Sequence, residues 1–338
     1  MASPYVAIIV PIYNVDLYIE ECLNSIRNQT FKNFKVFLVN DGSTDGSKVF
    51  ANNFVNIDKR FILIDQGNSG VGAARNAGLM LAEKENFDYI SFVDPDDVIS
   101  LNFLEKLVDV SERESVDVTL CSYYLFDSSN GVINKKKQEL PEFSRKMMDV
   151  KEYVEFIYGQ GRWRKVFGAG GMVCRGLFSA KKVKGLRFSE ERSLIEDELY
   201  SLIVASRVNF VQFISDKLYG YRQRDGSLVH SDCFLRRLFD GRIKAVPIAK
   251  SISKYAYTVV SVSCVDVGID ILKKGGNLGR EEIIEFRSEV EKFSMIFNIS
   301  KLKKDFMLLC DHPYIFRCLL IGKQIRRLLT RLVKFTFS

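Results

Sequence analysis

The sequence predicts an α/β fold: a mostly parallel sheet flanked by helices, with a helical C-terminal region behind it. Two observations carry that reading. Four short runs, at 6–10 (VAIIV), 34–39 (FKVFLV), 61–65 (FILID) and 89–93 (YISFV), have the β-branched or aromatic character of buried strands. Between them, residues 16–29, 45–55 and 71–84 repeat apolar side chains about every third or fourth position, as a helix with one buried side does. Strand and helix alternating in this way argue for parallel strands joined by right-handed crossovers.

Taken in order, the first two helical segments open with Asp16 and Asp45, each suited to an N-cap or first turn. In open α/β sheets the ligand sits beyond the carboxyl ends of the strands. Those ends are polar here: Pro11-Ile12-Tyr13-Asn14 after the first run, Asn40 to Ser47 after the second, Asp65 to Gly72 after the third, and Asp94-Pro95-Asp96-Asp97 after the fourth. They predict one crevice rich in Asp, Asn and Gly. Residues 101–114 follow as a helix and 116–126 as a strand, then a polar loop at 130–137; from 234 onward the pattern is helical.

The chain has 338 residues, enough for one large core or two modest ones, and its 47% hydrophobic and 27% charged content is that of a folded protein. The apolar stretch near Met1 is too short to span a bilayer and has no basic region before it, so no signal peptide or spanning helix is expected. Seven cysteines without CxxC pairs indicate neither a zinc site nor a disulfide framework and fit a reducing cytoplasm. Charge is uneven. Residues 1–235 hold 29 basic and 32 acidic side chains, a net −3, whereas 236–338 hold 20 and 10, a net +10.

That excess is concentrated near the C-terminus. Helical spacing over 323–335 puts Ile325, Leu328, Leu329, Leu332 and Val333 on one side and Lys323, Arg326, Arg327, Arg331 and Lys334 on the other. Such a basic amphipathic helix suits an anionic membrane surface, which places the protein peripherally on the cytoplasmic face of the inner membrane. It equally suits docking of the apolar side on the protein itself. Nucleic acid is not expected as a partner, because no recognised nucleic-acid module accompanies the charge. A homo-oligomer is compatible with the sequence.

Asp94-Pro95-Asp96-Asp97 delivers carboxylates to a strand end, where hard oxygen ligands can hold Mg²⁺ or Mn²⁺ beside a diphosphate. Alone, such a run is more commonly a surface turn. A second acidic element, Glu196-Asp197-Glu198, would alone be a solvated helix turn.

The company these motifs keep changes the reading. Val10-Pro11-Ile12-Tyr13-Asn14; Val39 to Asp45; Asn68-Ser69-Gly70 with Ala74-Arg75-Asn76-Ala77-Gly78; the acidic run at 94; Phe188-Ser189-Glu190 with Glu196-Asp197; and Tyr221-Arg222-Gln223-Arg224 follow one another in order. From residue 7 to about 227 the sequence resembles the inverting family 2 glycosyltransferases with a GT-A fold. The resemblance implies a GT-A catalytic domain at 1–235, with a nucleotide-sugar half at 1–105 and an acceptor half at 106–235. It implies a UDP-sugar donor, a glycan or lipid-linked acceptor, and Mn²⁺ or Mg²⁺.

By the same resemblance Pro11, Tyr13, Asn14 and Asp41 hold the nucleotide, with Tyr13 against the uracil face and Asp41 accepting from its ring N–H. Asn68 and Gly70 join that site, and Arg75 lies near Asp41 and the diphosphate. Asp94 approaches the ribose and sugar, Asp96 the sugar and the metal, and Asp97 ligates the metal directly; Pro95, where the family commonly has a small residue, stiffens the turn. Asp197 is the general base, beside Glu196. Arg222 and Arg224 contact phosphate from a mobile loop, and His230 completes the metal shell, since imidazole accepts Mn²⁺. Trp163 is either an acceptor platform or a packing residue.

Two other readings compete. A non-catalytic nucleotide-sugar or carbohydrate-binding subunit on the same fold is disfavoured by the presence of Asp97, Asp197 and both arginines. A dinucleotide-dependent oxidoreductase is poorer still: Gly70-Val71-Gly72 follows the third strand instead of the first, with Arg75 in place of the third glycine.

Overall fold

The computed structural model describes residues 3–127, 145–160, 171–191, 196–224 and 234–273. Strands β1 (Val6–Ile12), β2 (Phe34–Asp41), β3 (Phe61–Gln66) and β4 (Tyr89–Phe92) lie parallel in the order β3-β2-β1-β4. Helices α1 (Ile19–Arg27), α2 (Ser47–Ile57) and α3 (Val71–Ala82) make the crossovers. All of β1 is buried, because successive side chains point to opposite faces and both faces are covered. Val6, Ile8, Val10 and Ile12 enter one apolar cluster with α1 residues such as Leu23 and Ile26, whereas Ala7 and Ile9 enter the other with Leu79 of α3. Pro11 is tolerated in this central strand because pairing with β4 ends two residues earlier, at Ile9 opposite Phe92.

The remaining elements are β5 (Val98–Ile99), α4 (Phe103–Glu114), β6 (Val118–Asp127), β7 (Arg145–Met148), α5 (Val150–Ile157), β8 (Gly176–Ser179), α6 (Ala180–Val183), α7 (Glu196–Ala205), β9 (Val211–Gln223), α8 (Phe234–Ile252) and α9 (Lys254–Lys273). Among the described residues the strands form one nine-stranded sheet, ordered β3-β2-β1-β4-β8-β6-β9-β5, with β7 also on β9. This second half is mixed: β8 runs antiparallel to both β4 and β6, while β6 and β9 are parallel. Helices α8 and α9 share an apolar cluster with α5, α7 and β9. Phe239, Val246, Val260 and Cys264 belong to the same buried group as Phe156, Tyr200 and Phe213.

The two helix starts add a cross-connection to the sequence expectation. Asp16 and Asp45 precede α1 and α2, and each carboxylate serves the other loop: Asp45 accepts from the Asp16 N–H at 3.1 Å, and Asp16 from the Gly46 N–H at 3.4 Å. Asp45 also accepts from the Ser47 N–H at 3.0 Å. The pair ties together the loops after β1 and β2, at the carboxyl ends of those strands. The basic amphipathic stretch at 323–335 lies outside the described residues.

Candidate active site

The ends of β1, β2 and β3 build the first wall. Asp41 closes β2 and is 3% exposed. Its Oδ1 accepts from Gln66 Nε2 and the Ser69 N–H, and its Oδ2 from the Gly70 N–H, each at 2.8 Å. Gly70 adopts φ of 96°, a conformation that side chains resist, and so presents its N–H to the carboxylate just before α3 begins. Asn14, itself at φ 49°, accepts the Thr44 N–H at 2.8 Å and gives its own N–H to Ser43 Oγ at 3.2 Å. Asn68 packs its backbone against Gly42, where a Cβ would meet the Asn68 nitrogen at 2.9 Å. Tyr13, 46% exposed beyond Pro11, offers an open aromatic ring on this wall.

The turn after β4 builds the second wall. It closes on a hydrogen bond from the Asp97 N–H to the Asp94 carbonyl. Asp97 is buried and accepts from Tyr219 Oη at 2.6 Å and from the Arg222 N–H at 2.8 Å, both on β9. Asp96 accepts from Arg224 Nε at 2.7 Å. One oxygen from each of Asp94 and Asp97 and the Cys174 thiol lie within 4.8 Å of one another. Burial pushes the Asp97 carboxyl well above the usual range, the Asp96 and Asp94 charges add to that, and the Arg222 N–H and Tyr219 hydroxyl pull it back. Burial likewise raises Asp96, with Asp94 adding and Arg224 opposing. Carboxylates crowded in this way fit a divalent cation, and the hard oxygens of Asp94 and Asp97 suit Mg²⁺ or Mn²⁺ better than the thiol does.

Arg222 departs from the expectation of a mobile phosphate-binding loop. It sits inside β9, because the strand continues to Gln223, and its side chain is buried. Its Nε donates to the Asp96 carbonyl at 2.5 Å and its Nη2 to Glu21 at 2.6 Å, with the guanidinium over the Phe126 and Tyr18 rings. Arg224, one residue past β9 and with its side chain 33% exposed, is the arginine with access to solvent.

Arg75 joins the two walls. It projects from α3, with only 3% of its side chain exposed, and its guanidinium meets three carboxylates: Asp94 at 2.9 Å, Glu196 at 3.1 Å and Asp197 at 2.6 Å. In the observed contacts Arg75 makes a bridge from the β4 turn to the first turn of α7. The neighbouring Asn76 explains why the motif at 188 accompanies it. Asn76 accepts the Phe188 N–H at 2.8 Å and donates to the Phe188 carbonyl and to Glu190, each at 3.1 Å. The Phe188 ring then stacks on Tyr200 of α7, with centroids 3.9 Å apart.

Asp197 receives the Val173 N–H at 3.4 Å besides Arg75. Burial pushes its carboxyl up to about 7; Arg75 opposes the rise, and Glu196 and Asp94 reinforce it. Burial also raises Glu196 against the pull of Arg75. A carboxyl titrating near neutrality can take up a proton from a hydroxyl at physiological pH.

A family model described as glycosyl transferase family 2 matches residues 7–176. The chain belongs to that family. Among curated relatives of the chain, GlyA of Streptococcus pneumoniae is 32% identical over 247 residues, covering 72% of the chain and 34% of GlyA. An uncharacterized glycosyltransferase of Bacillus subtilis, EpsJ, is 32% identical over 236 residues, covering 67% of the chain and 63% of EpsJ. The matched segment thus spans about a third of GlyA and under two thirds of EpsJ. Among solved structures, S. aureus TarS 1–349 in complex with UDP superposes with a TM-score of 0.68 at 17% identity, covering 96% of the chain and 91% of TarS 1–349. The mannosyltransferase PcManGT from Pyrobaculum calidifontis gives 0.55 at 13%, covering 100% and 89%. These likenesses show the GT-A fold.

The family match ends before α7, so Asp197 lies beyond it, held to the matched part by Arg75. His230 and Trp163 lie outside the described residues. Sequence reasoning gives no role to Tyr219, Asn76 or Glu21, although Asn76 falls inside one of its motifs and Tyr219 lies two residues before another. Only alternation along β9, which points Tyr219 and Tyr221 to the same face, offers a signal, and it cannot tell which partner waits there.

Proposed function

We propose that this glycosyltransferase is metal-dependent and inverting, and that it moves a hexose or N-acetylhexosamine from a UDP-sugar to a hydroxyl of a glycan or lipid-linked acceptor in surface-polysaccharide synthesis. The observation that carries the proposal is the Arg75 bridge, which puts Asp94 and Asp197 against one guanidinium although they are far apart in sequence. A cation-holding group and a base would thereby stand on either side of one guanidinium.

Tyr13 would pack on the uracil, and Asp41 would order the loop beneath it while accepting from the base edge. Asp94 and Asp97 would hold Mn²⁺ or Mg²⁺, with Asp96 alongside. The bound cation supplies positive charge to the departing diphosphate. Asp197 would accept the proton of the acceptor hydroxyl as that oxygen attacks the anomeric carbon from the face opposite the leaving group, so no covalent intermediate is needed. Arg224 would exchange Asp96 for a diphosphate oxygen. UDP is supported as the nucleotide by TarS complexes with UDP and UDP-GlcNAc, and a cation by the PcManGT complex with GDP-Man and Mn²⁺. A surface-glycan setting is supported by 29% identity over 228 residues to the minor teichoic acid biosynthesis protein GgaB of Bacillus subtilis. No helix among the described residues is long and apolar enough to cross a membrane, and a peripheral site on the cytoplasmic face would use the basic stretch at 323–335.

The test is a donor screen. UDP, UDP-hexoses and UDP-N-acetylhexosamines, with Mn²⁺ and with EDTA, are expected to give metal-dependent thermal stabilisation and turnover with at least one donor. A folded protein that binds UDP and turns over no donor across a broad acceptor panel would indicate the non-catalytic binding subunit instead.

A further inference from the structure

Consecutive residues in the first turn of α7 are bound to partners in different parts of the fold. Glu196 and Asp197 meet Arg75 of α3, whereas Glu198 meets Arg242 of α8. The second contact is a two-pronged fork: Arg242 Nη2 to Glu198 Oε1 at 3.0 Å and Arg242 Nε to Oε2 at 3.1 Å. The guanidinium lies 5.5 Å from the Tyr158 ring centroid, and Nη1 reaches the Ser263 carbonyl of α9 at 3.5 Å. A planar fork on a carboxylate fixes orientation as well as distance, which a point charge does not.

The same turn also packs against the backbone at Gly171. A Cβ on Gly171 would stand 2.5 Å from the Glu198 Cα and 3.1 Å from the Asp197 carbonyl, so backbone lies directly on backbone there. Ser201 Oγ of α7 donates to the Gly171 carbonyl at 2.9 Å and holds the same contact one turn later. Any rotation of α7 that released Glu198 would move Asp197 relative to Asp94, because Arg75 spans the two.

We propose that Arg242 is a positioning residue for Asp197: its fork on Glu198 sets the first turn of α7, so the helical region beginning at α8 takes part in catalysis. This rests on Asp197 being the general base. The full chain with Mn²⁺ and an accepted UDP-sugar is assayed as Arg242→Met, Arg242→Lys, Glu198→Gln and the Arg242→Met/Glu198→Gln double variant, beside Asp197→Asn. Misplacing a catalytic group costs rate more than affinity, so Arg242→Met is expected to lower kcat about tenfold or more with KM for the donor within about twofold. The double variant is expected to lose no more than Arg242→Met alone, because the two side chains act as one unit, and Arg242→Lys to recover part of the rate.

Near wild-type kcat in both Arg242→Met and Glu198→Gln would overturn the proposal, as would losses confined to KM or losses that multiply in the double variant. If Arg242→Met does not fold, Glu198→Gln and Arg242→Lys decide by the same split between kcat and KM. Asp197→Asn separates the two levels. An active Asp197→Asn removes the base itself, whereas an inactive one beside unaffected Glu198 and Arg242 variants removes only the clamp.

Discussion

Replacing Arg75 by methionine keeps the buried stem and deletes the charge that three carboxylates share. Breaking a buried ion pair on one side costs about 3–5 kcal/mol, because the remaining charge is left unpaired in a poor solvent. The side chains of Asp94, Glu196 and Asp197 are 24%, 12% and 20% exposed, so water recovers part of that and the expected loss is nearer about 3 kcal/mol. The loss should also depend on pH. Burial holds Asp197 at about 7 in the fold despite the lowering effect of Arg75, against roughly 3.9 for an unfolded aspartate. A carboxyl raised by folding favours the folded state while protonated and loses that contribution as pH rises through its folded value. Without Arg75 the folded value climbs further, so urea unfolding should show a larger deficit for Arg75→Met at pH 8 than at pH 5.5. A loss below about 1 kcal/mol, or one that does not change with pH, would refute the idea that Arg75 neutralises this cluster.

Three further outcomes follow. Because Asp197 must be deprotonated to act as a base, kcat should fall on the acid side of a limb near pH 7, and Arg75→Lys, which loosens the guanidinium contact that lowers the value, should move the limb alkaline; a pH-rate profile checks both. Asp41→Ala frees Gln66 Nε2 and the Ser69 and Gly70 N–H groups, so it should cost about 1–3 kcal/mol in unfolding experiments and weaken UDP binding by calorimetry. Deleting residues 313–338 should shift the protein from the membrane to the soluble fraction, and unchanged partitioning would leave the basic stretch without that role.

The four parallel strands were legible because burial on both faces writes a continuous apolar run, as in VAIIVPI of β1, where every side chain is covered. The mixed half was not. Strand β8 is four residues long and begins at Gly176, and its place between β4 and β6 depends on partners distant in the chain. Local chemistry told part of the story at Asp16 and Asp45: Asp45 does accept from the first N–H of α2, but each carboxylate also serves the other's loop because the loops lie side by side. At the site, the residue types that carry charge were visible, and their pairing was not. Arg75 reads as one arginine on a helix until the fold brings α7 across from 121 residues away, and Arg222 reads as a loop residue until β9 runs through it. Arg242 carries no motif at all; its partner is set by the packing of α8 on α7.

Turnover of a UDP-sugar by Asp197→Asn, measured with Mn²⁺ alongside nucleotide binding, bears most directly on the two-carboxylate cleft. Loss of a general base should cut kcat by about 10²–10⁴ while UDP affinity changes by less than about twofold. Transfer at the wild-type rate in a variant that still binds UDP would mean that another group takes the proton, and the assignment of Asp197 would be wrong.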